Sequence, residues 1–209
     1  MENHGVAVFG AGGHAKVVIR ALEVSGVASI AVFDDDPSLQ GQAILGHVVL
    51  GSLDRARDMG YNHAVIAIGD NATRKRVEGR FPDLEWVTVV HPRAWVDPSA
   101  ALGAGTVVLA GAIVQAEATL GRHCILNTGS SVDHDCCLAD FVHVAPGAHL
   151  AGWVSVGEGC LLGVGAATIP GVRIGAWATI GAGAAVVDDI DAAMVAVGVP
   201  ARPRRGSGA

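Results

Sequence analysis

Positive charge is in short supply in this chain: 14 Lys and Arg stand against 20 Asp and Glu, a net charge of −6. That balance argues against nucleic acid or an anionic membrane surface as the main partner. No apolar run reaches the 18 residues that a membrane-spanning helix requires, and no basic stretch precedes an apolar one near Met1. The expectation is a soluble, unexported, cytoplasmic protein. Cysteine is sparse too. Cys124, Cys136, Cys137 and Cys160 include no CxxC pair, which speaks against a disulfide scaffold, a redox dithiol or a zinc knuckle.

What the chain has instead is a period of six. Val96, Leu102, Val108, Val114, Leu120, Leu126, Val132, Leu138, Val144, Leu150, Val156, Leu162, Thr168, Ile174, Ile180 and Val186 follow one another at that interval, and fifteen of the sixteen are Val, Leu or Ile. These types fill 55 of 209 positions overall, so the run is not an accident of composition. Four places after the aliphatic residue stands a small or β-branched one, as at Ala112, Cys124, Ser130, Cys136, Ala148 and Cys160. Glycine often follows the aliphatic residue directly, as at Gly103, Gly121 and Gly157. A strict hexad is neither helical nor alternating. It predicts a left-handed parallel β-helix, with one short strand and one turn per hexad and three hexads per triangular coil, giving about five coils. Three of the cysteines fall at the small inward position, where a thiol behaves as a small hydrophobe.

Ahead of this lies a different pattern. The strand Val6–Phe9 runs into Gly10-Ala11-Gly12-Gly13-His14-Ala15-Lys16 and then a helical stretch through Val24. A second strand, Ser29 to Phe33, ends in Asp34-Asp35-Asp36-Pro37, and a third, Ala64 to Ile68, ends in Gly69-Asp70-Asn71 before a helix over 72–79. Alternation of this kind predicts a small Rossmann-like parallel α/β sheet over residues 1–92, with the β-helix over 93–209. Leu84 to Val90 reads as its last strand and His91-Pro92 as a stiff exit. The glycine turn at a helix start offers backbone N–H groups to phosphate, and Ala15 stands where a nicotinamide-binding GxGxxG would place its last glycine. Asp34, Asp35 and Asp36 suit ribose or base hydroxyls, or simply form a solvated turn. His14 either meets a phosphate or sugar or caps the helix. Lys16 reads as solvent-exposed.

Most hexads are bland, but Val132-Asp133-His134-Asp135-Cys136 is not. With Val132 and Cys136 inward, His134 and Asp135 face outward at a corner. A carboxylate beside an imidazole orients it and supports its charged form, which suits a general base near neutral pH. No serine or cysteine stands at an obvious spacing to form a covalent intermediate, so direct transfer is expected. His143 and His149 lie farther along, both outward. Together with His134 they raise a rival reading as a zinc lyase, although their separations of nine and six residues do not match the short spacing such a site uses.

From end to end the chain resembles the hexapeptide-repeat acetyltransferases of nucleotide-linked amino sugars, the PglD and NeuD types. The resemblance rests on the Gly10-Ala11-Gly12-Gly13-His14 turn, the Val132-Asp133-His134-Asp135 corner and the Gly198-Val199-Pro200-Ala201-Arg202 ending. It implies acetyl-CoA as co-substrate, no metal, and a homotrimer with sites between subunits. It also implies His134 as the base and Asp135 as its partner, where relatives often carry glutamate. Gly10, Gly12, Gly13, His14, Asp34, Asp35 and Asp36 would hold the nucleotide sugar, Asn127 would line the site, and His143 and Gly152 would stand on the acetyl-CoA side. The implied acceptor is the 4-amino group of a 4-amino-4,6-dideoxyhexose, GDP-perosamine first and a UDP-linked amino sugar next. A sialic acid O-acetyltransferase and a non-catalytic nucleotide-sugar scaffold are the alternatives. The basic tail Ala201–Arg205 either meets the phosphates of CoA or is a solvated end.

Overall fold

The computed structural model describes residues 5–204; Arg205 and the Gly-Ser-Gly-Ala end lie outside them. The first elements are β1 (Val6–Phe9), α1 (Gly13–Val24), β2 (Ile30–Phe33), a hairpin of β3 (Ala43–Ile44) and β4 (His47–Val48), and α2 (Leu53–Asp58). Then come β5 (His63–Ile66), α3 (Asn71–Arg80) and β6 (Glu85–Trp86). The sheet runs β2-β1-β5-β6, with every pair parallel. Its strands are apolar on both faces because both faces are covered. Ala7, Phe9, Phe33 and Ile66 pack with Leu53, Val77 and Phe81 on one side. On the other, Val8, Val32 and Val65 meet Val18, Ile19 and Leu22 of α1. The hairpin and α2 have no counterpart in the sequence reading, since both are too short for a period to show.

That second cluster does not end with the sheet: it takes in Val89, Val107 and Leu109 of the β-helix. Helix α1 therefore lies between the sheet and the prism, and the two parts share a core. The stretch read as one strand, Leu84 to Val90, is divided. Val87 N donates to Ala64 O of the sheet, whereas Val89 N donates to Thr106 O of the prism. The strand Val89–Val90 is thus already the first on a prism face.

The prism has three parallel sheets of eight, six and five strands; the last strand of the first, Arg202–Pro203, is antiparallel. Partners step by one coil. On the first face Val107, Ile125, His143, Leu161 and Thr179 are successive neighbours. On the second they are Trp95, Ile113, Ser131, His149, Ala167 and Ala185. On the third they are Ala101, Thr119, Cys137, Ser155 and Arg173. Because the first face starts at Val89 and ends at Val195–Val197, the helix is longer than the five coils expected from Val96. The column is buried from Val108 to Val186 except at the half-buried Thr168, with Val108, Val114, Leu126, Val132 and Val144 completely so, while Val96 and Leu102 at its start are half-buried. Each such side chain contributes about 1.5–3 kcal/mol of burial. Cys124, Cys136 and Cys160 sit inward as expected, and their thiols donate to Ala139 O, Ala151 O and Gly175 O of the following coil. Burial pushes the Cys124 thiol up to about 12 and Cys160 up to about 11.

The turns carry a regularity that the aliphatic pattern does not reveal. At fourteen successive hexads, the third residue after the aliphatic one has a left-handed backbone. Eight of these are glycine, from Gly105 to Gly183, and six are Glu117, His123, Asp135, Phe141, Trp153 and Trp177. Left-handed conformation is strained for a residue with a side chain, so each of the six calls for a compensating contact or a function. The glycines directly after the aliphatic residue have a different cause, close stacking of the coils. A Cβ on Gly103 would lie 2.4 Å from the Gly121 carbonyl carbon.

Candidate active site

Two groups of the candidate residues emerge, on opposite sides of the prism. The first forms where the carboxyl ends of β1 and β5 meet the first prism face. Chain order reverses between these two strands, and such a reversal opens a crevice beyond the strand ends. Gly12 precedes α1, with no side chain to cap it, and His14 lies inside the helix rather than capping it. Asp34 closes the crevice's other wall, accepting from Ala11 N at 2.7 Å and from Asp36 N at 2.8 Å. Asp35 accepts from Leu53 N and pairs with Arg80 at 2.6 Å. Asp36 is exposed and accepts from Ser38, which lowers its pKa. Gly10, Asp34, Asp35, Ile68 and Thr73 line a small cavity of about 170 Å³ at this edge.

Beside the crevice the His14 and His143 rings lie 6.2 Å apart. His143 Nε2 is 3.1 Å from Asn127 Nδ2, and its Nδ1 is 3.3 Å from Gly69 O. A carbonyl only accepts and the amide nitrogen only donates, so His143 carries its proton on Nδ1. The Nε2 of His14 is buried without a protein partner. His143 also borders a cleft of about 360 Å³ with Gly69, Asp70, Leu161, Trp177 and Thr179. Two larger clefts, each of about 470 Å³, lie elsewhere, one along Cys137, Ser155 and Arg173, the other along Gly26, Ser29 and His63. Neither gathers the candidate residues, so volume alone does not locate the site.

Arg74 holds this arrangement together and was not legible as a site residue. It is 1% exposed, and its guanidinium donates to Ile68 O and Gly69 O behind β5, to Asn71 Oδ1, and to His123 O and Phe141 O on the prism. Asn71 donates in turn to Gly159 O and Cys160 O. The sheet and the prism are therefore tied by hydrogen bonds from one turn of α3. His123 and Phe141 stack at 5.3 Å beneath the edge of Trp86, which gives these two left-handed residues their packing reason.

The buried imidazoles are held neutral. Burial, then His143 and Arg74, lower His14 to about 4. Burial and Arg74 lower His143 to about 4, and burial, Arg122 and Arg74 lower His123 to about 3. In the unfolded chain these rings titrate near 6.5. Between pH 6.5 and about 4 the unfolded state thus binds more protons, so stability is full above that window and falls as the pH drops through it. The slope is about 1.4 kcal/mol per pH unit for each histidine. Urea unfolding at pH 7 and pH 5 checks this: the midpoint is expected to be clearly lower at pH 5. An unchanged midpoint would mean that the charged rings gain partners when folded.

The second group lies at the corner between the second and third faces. His134 and Asp135 form the turn between the strands Ser131–Val132 and Cys137–Leu138, with Val132 and Cys136 inward as expected. The His134 side chain points outward and is 42% exposed, and its Nδ1 lies 2.8 Å from Asp135 Oδ2. A carboxylate can only accept, so Nδ1 donates, and in the neutral ring Nε2 carries the lone pair. His134 N is fixed by Asp133 Oδ1 at 2.8 Å. Gly152 has a structural role here, because a Cβ on it would fall 2.6 Å from His134 Cε1. The Trp153 indole meets the imidazole edge to face at 4.5 Å. His149 is apart from both groups, its Nδ1 2.8 Å from Ser131 Oγ. His134, His143 and His149 thus have separate partners, and among the described residues no three metal-ligating side chains meet. No helix of the described residues is long and apolar enough to cross a membrane.

A nucleotide-type crevice joined to a hexad prism with an outward His-Asp pair defines a class: hexapeptide-repeat acyltransferases with an appended ligand-binding sheet. Comparison with known proteins agrees. Residues 5–81 match the PglD N-terminal domain, and residues 153–187 match the hexapeptide repeat of succinyl-transferase. The chain is 31% identical over 168 residues to GDP-perosamine N-acetyltransferase of Escherichia coli O157:H7, covering 76% of this chain and 75% of that one. It superposes with a TM-score of 0.91 and 42% identity on a histidine-to-alanine variant of GDP-perosamine N-acetyltransferase from Caulobacter crescentus, solved with CoA and GDP-perosamine, over 96% and 97% of the two chains. The acetyltransferase domain of PglB from Neisseria gonorrhoeae, solved with acetyl coenzyme A, gives 0.91 at 37% identity over 97% and 100%. The chain belongs to the nucleotide-sugar N-acetyltransferase family that these proteins represent.

Proposed function

We propose that the protein transfers the acetyl group of acetyl-CoA to the 4-amino group of a nucleotide-linked 4-amino-4,6-dideoxyhexose, with GDP-perosamine as the favoured acceptor. The observation that carries this reading is the outward His134–Asp135 pair, with Nε2 free to take a proton. The amine nitrogen attacks the thioester carbonyl while His134 Nε2 accepts its proton, and Asp135 stabilises the resulting imidazolium. The tetrahedral oxyanion collapses to the amide with loss of the CoA thiolate, and backbone N–H groups near Gly152 are the candidates to stabilise it. Gly10, Gly12, Gly13 and His14 would hold the diphosphate and sugar, Asp34, Asp35 and Asp36 the nucleoside; Asn127 would line the acceptor site, and His143 and Gly152 would stand on the acetyl-CoA side.

Topology favours a shared site. The crevice opens beside the first face, and His134 occupies the corner opposite that face, across a prism on the order of 15 Å wide for six-residue sides at about 3.3 Å per residue. One chain cannot present both groups to one sugar. A homotrimer in which the crevice of one protomer faces the corner of the next closes that gap by rotational symmetry. The cytoplasm is the proposed compartment, in keeping with four unpaired thiols.

A panel of acetyl-CoA assays against GDP- and UDP-linked amino sugars, read by thiol release, tests the reading. Turnover is expected with a 4-amino acceptor and not with a free sialic acid. Binding without thiol release would favour a scaffold instead. Replacing His14 with alanine is expected to raise the acceptor KM by about tenfold, the usual range for one lost polar contact to a charged group, with kcat less affected. An unchanged KM would make the glycine turn structural.

A further inference from the structure

Trp153 is strained without being buried. It has φ 58°, one coil after Asp135 and on the same corner. Most equivalent turns use glycine, and the other ring-bearing residues there have a contact within the fold. His123 and Phe141 are stacked in the interior, and Trp177 lies under the Lys75 ammonium at 5.6 Å. Trp153 is 60% exposed, and its aromatic contact among the described residues is the His134 ring, centroids 4.5 Å apart at 89°. Trp153 N also donates to His134 O at 3.0 Å. Strain kept at an exposed turn, with no core to stabilise, points to function.

We infer that Trp153 is a positioning residue for acetyl transfer, its indole holding the His134 imidazole in the orientation that pairs Nδ1 with Asp135 and presents Nε2 outward. The imidazole is then enclosed by the indole, by the Gly152 backbone and by the Asp135 carboxylate. Without the indole it can turn away from Asp135, and the correct tautomer is no longer enforced. The inference rests on His134 acting as the base.

Trp153→Gly separates this role from a structural one, because φ 58° suits glycine. The variant is expected to melt at or above the wild-type temperature while kcat falls about 10–100-fold, with KM for both substrates held within about threefold, as for a misplaced catalytic group. Trp153→Phe should recover most of kcat. Long-range proton–nitrogen NMR of His134 should show the Nδ1–H tautomer in wild type and Trp153→Phe, and a mixture in Trp153→Gly. Wild-type kcat in Trp153→Gly, or an unchanged tautomer, would overturn the inference, as would a lowered melting temperature that phenylalanine does not restore. His134→Ala run alongside distinguishes the two readings. If it keeps turnover, the base assignment fails, and the NMR signature still decides whether Trp153 holds the ring.

Discussion

Replacing His134 with alanine is expected to lower kcat by about 10²–10⁴-fold, the range that a positioned general base contributes. Nε2 is the atom left free by the Asp135 pairing, and the side chain is 42% exposed at an outward corner, against the Trp153 indole and outside the buried column. Acceptor KM and melting temperature should therefore change little, and the loss should appear in kcat and kcat/KM alike. Asp135→Asn is the informative companion. An amide can donate to Nδ1, which would force the proton to Nε2 and present the wrong tautomer to the amine. Steady-state kinetics with both variants check the pair. Wild-type turnover for His134→Ala would remove the residue from the chemistry.

Arg74→Ala is expected to have the largest effect on stability. The change would leave the carbonyls of His123, Phe141 and Ile68 and the Asn71 amide oxygen without their donor, and Gly69 O with the His143 Nδ1–H as its remaining one, in a place that is 1% exposed. Unsatisfied buried acceptors cost about 1–3 kcal/mol each, but some regain water in the space vacated, so a net loss of roughly 3–4 kcal/mol is expected. For a chain of this size that is a fall in Tm of about 6–16 °C. Burial lowers the Arg74 pKa only to about 10, so the guanidinium stays charged at neutral pH. Lysine has three donors on one atom and cannot span these acceptors, so Arg74→Lys should restore only a minor part of the loss. Thermal unfolding of both variants measures this. A Tm within 2–3 °C of wild type, about 1 kcal/mol, would show that the joint is held by the apolar cluster of α1 and Val107 instead.

The β-helix was legible because its stability is local and repetitive. A side chain that must enter a prism once per hexad leaves a mark every six residues, and the column from Val108 to Val186, buried at every step but Thr168, is that mark. The outward His134–Asp135 corner was legible for the same reason, since inward Val132 and Cys136 leave the intervening residues no other direction. The glycine turn and the strand-helix alternation likewise announced the small parallel sheet. Leu84 to Val90 was misread because its apolar residues look alike whichever sheet they join; only the hydrogen bonds of Val87 and Val89 tell the two apart. The left-handed turn positions were missed because six of the fourteen are not glycine.

The sequence by itself thus determined the prism, its register, the sheet and the outward His-Asp corner, all products of short-range periodicity. Tertiary structure alone decided how they are arranged. It placed α1 between sheet and prism, made Arg74 the joint through carbonyls 49 and 67 residues away, and neutralised His14 and His143 by burying them together. It also set the crevice and His134 on opposite sides of one chain. Contacts between residues distant in sequence carry no period, and a backbone carbonyl looks the same at every position, so nothing in the order of side chains could announce them.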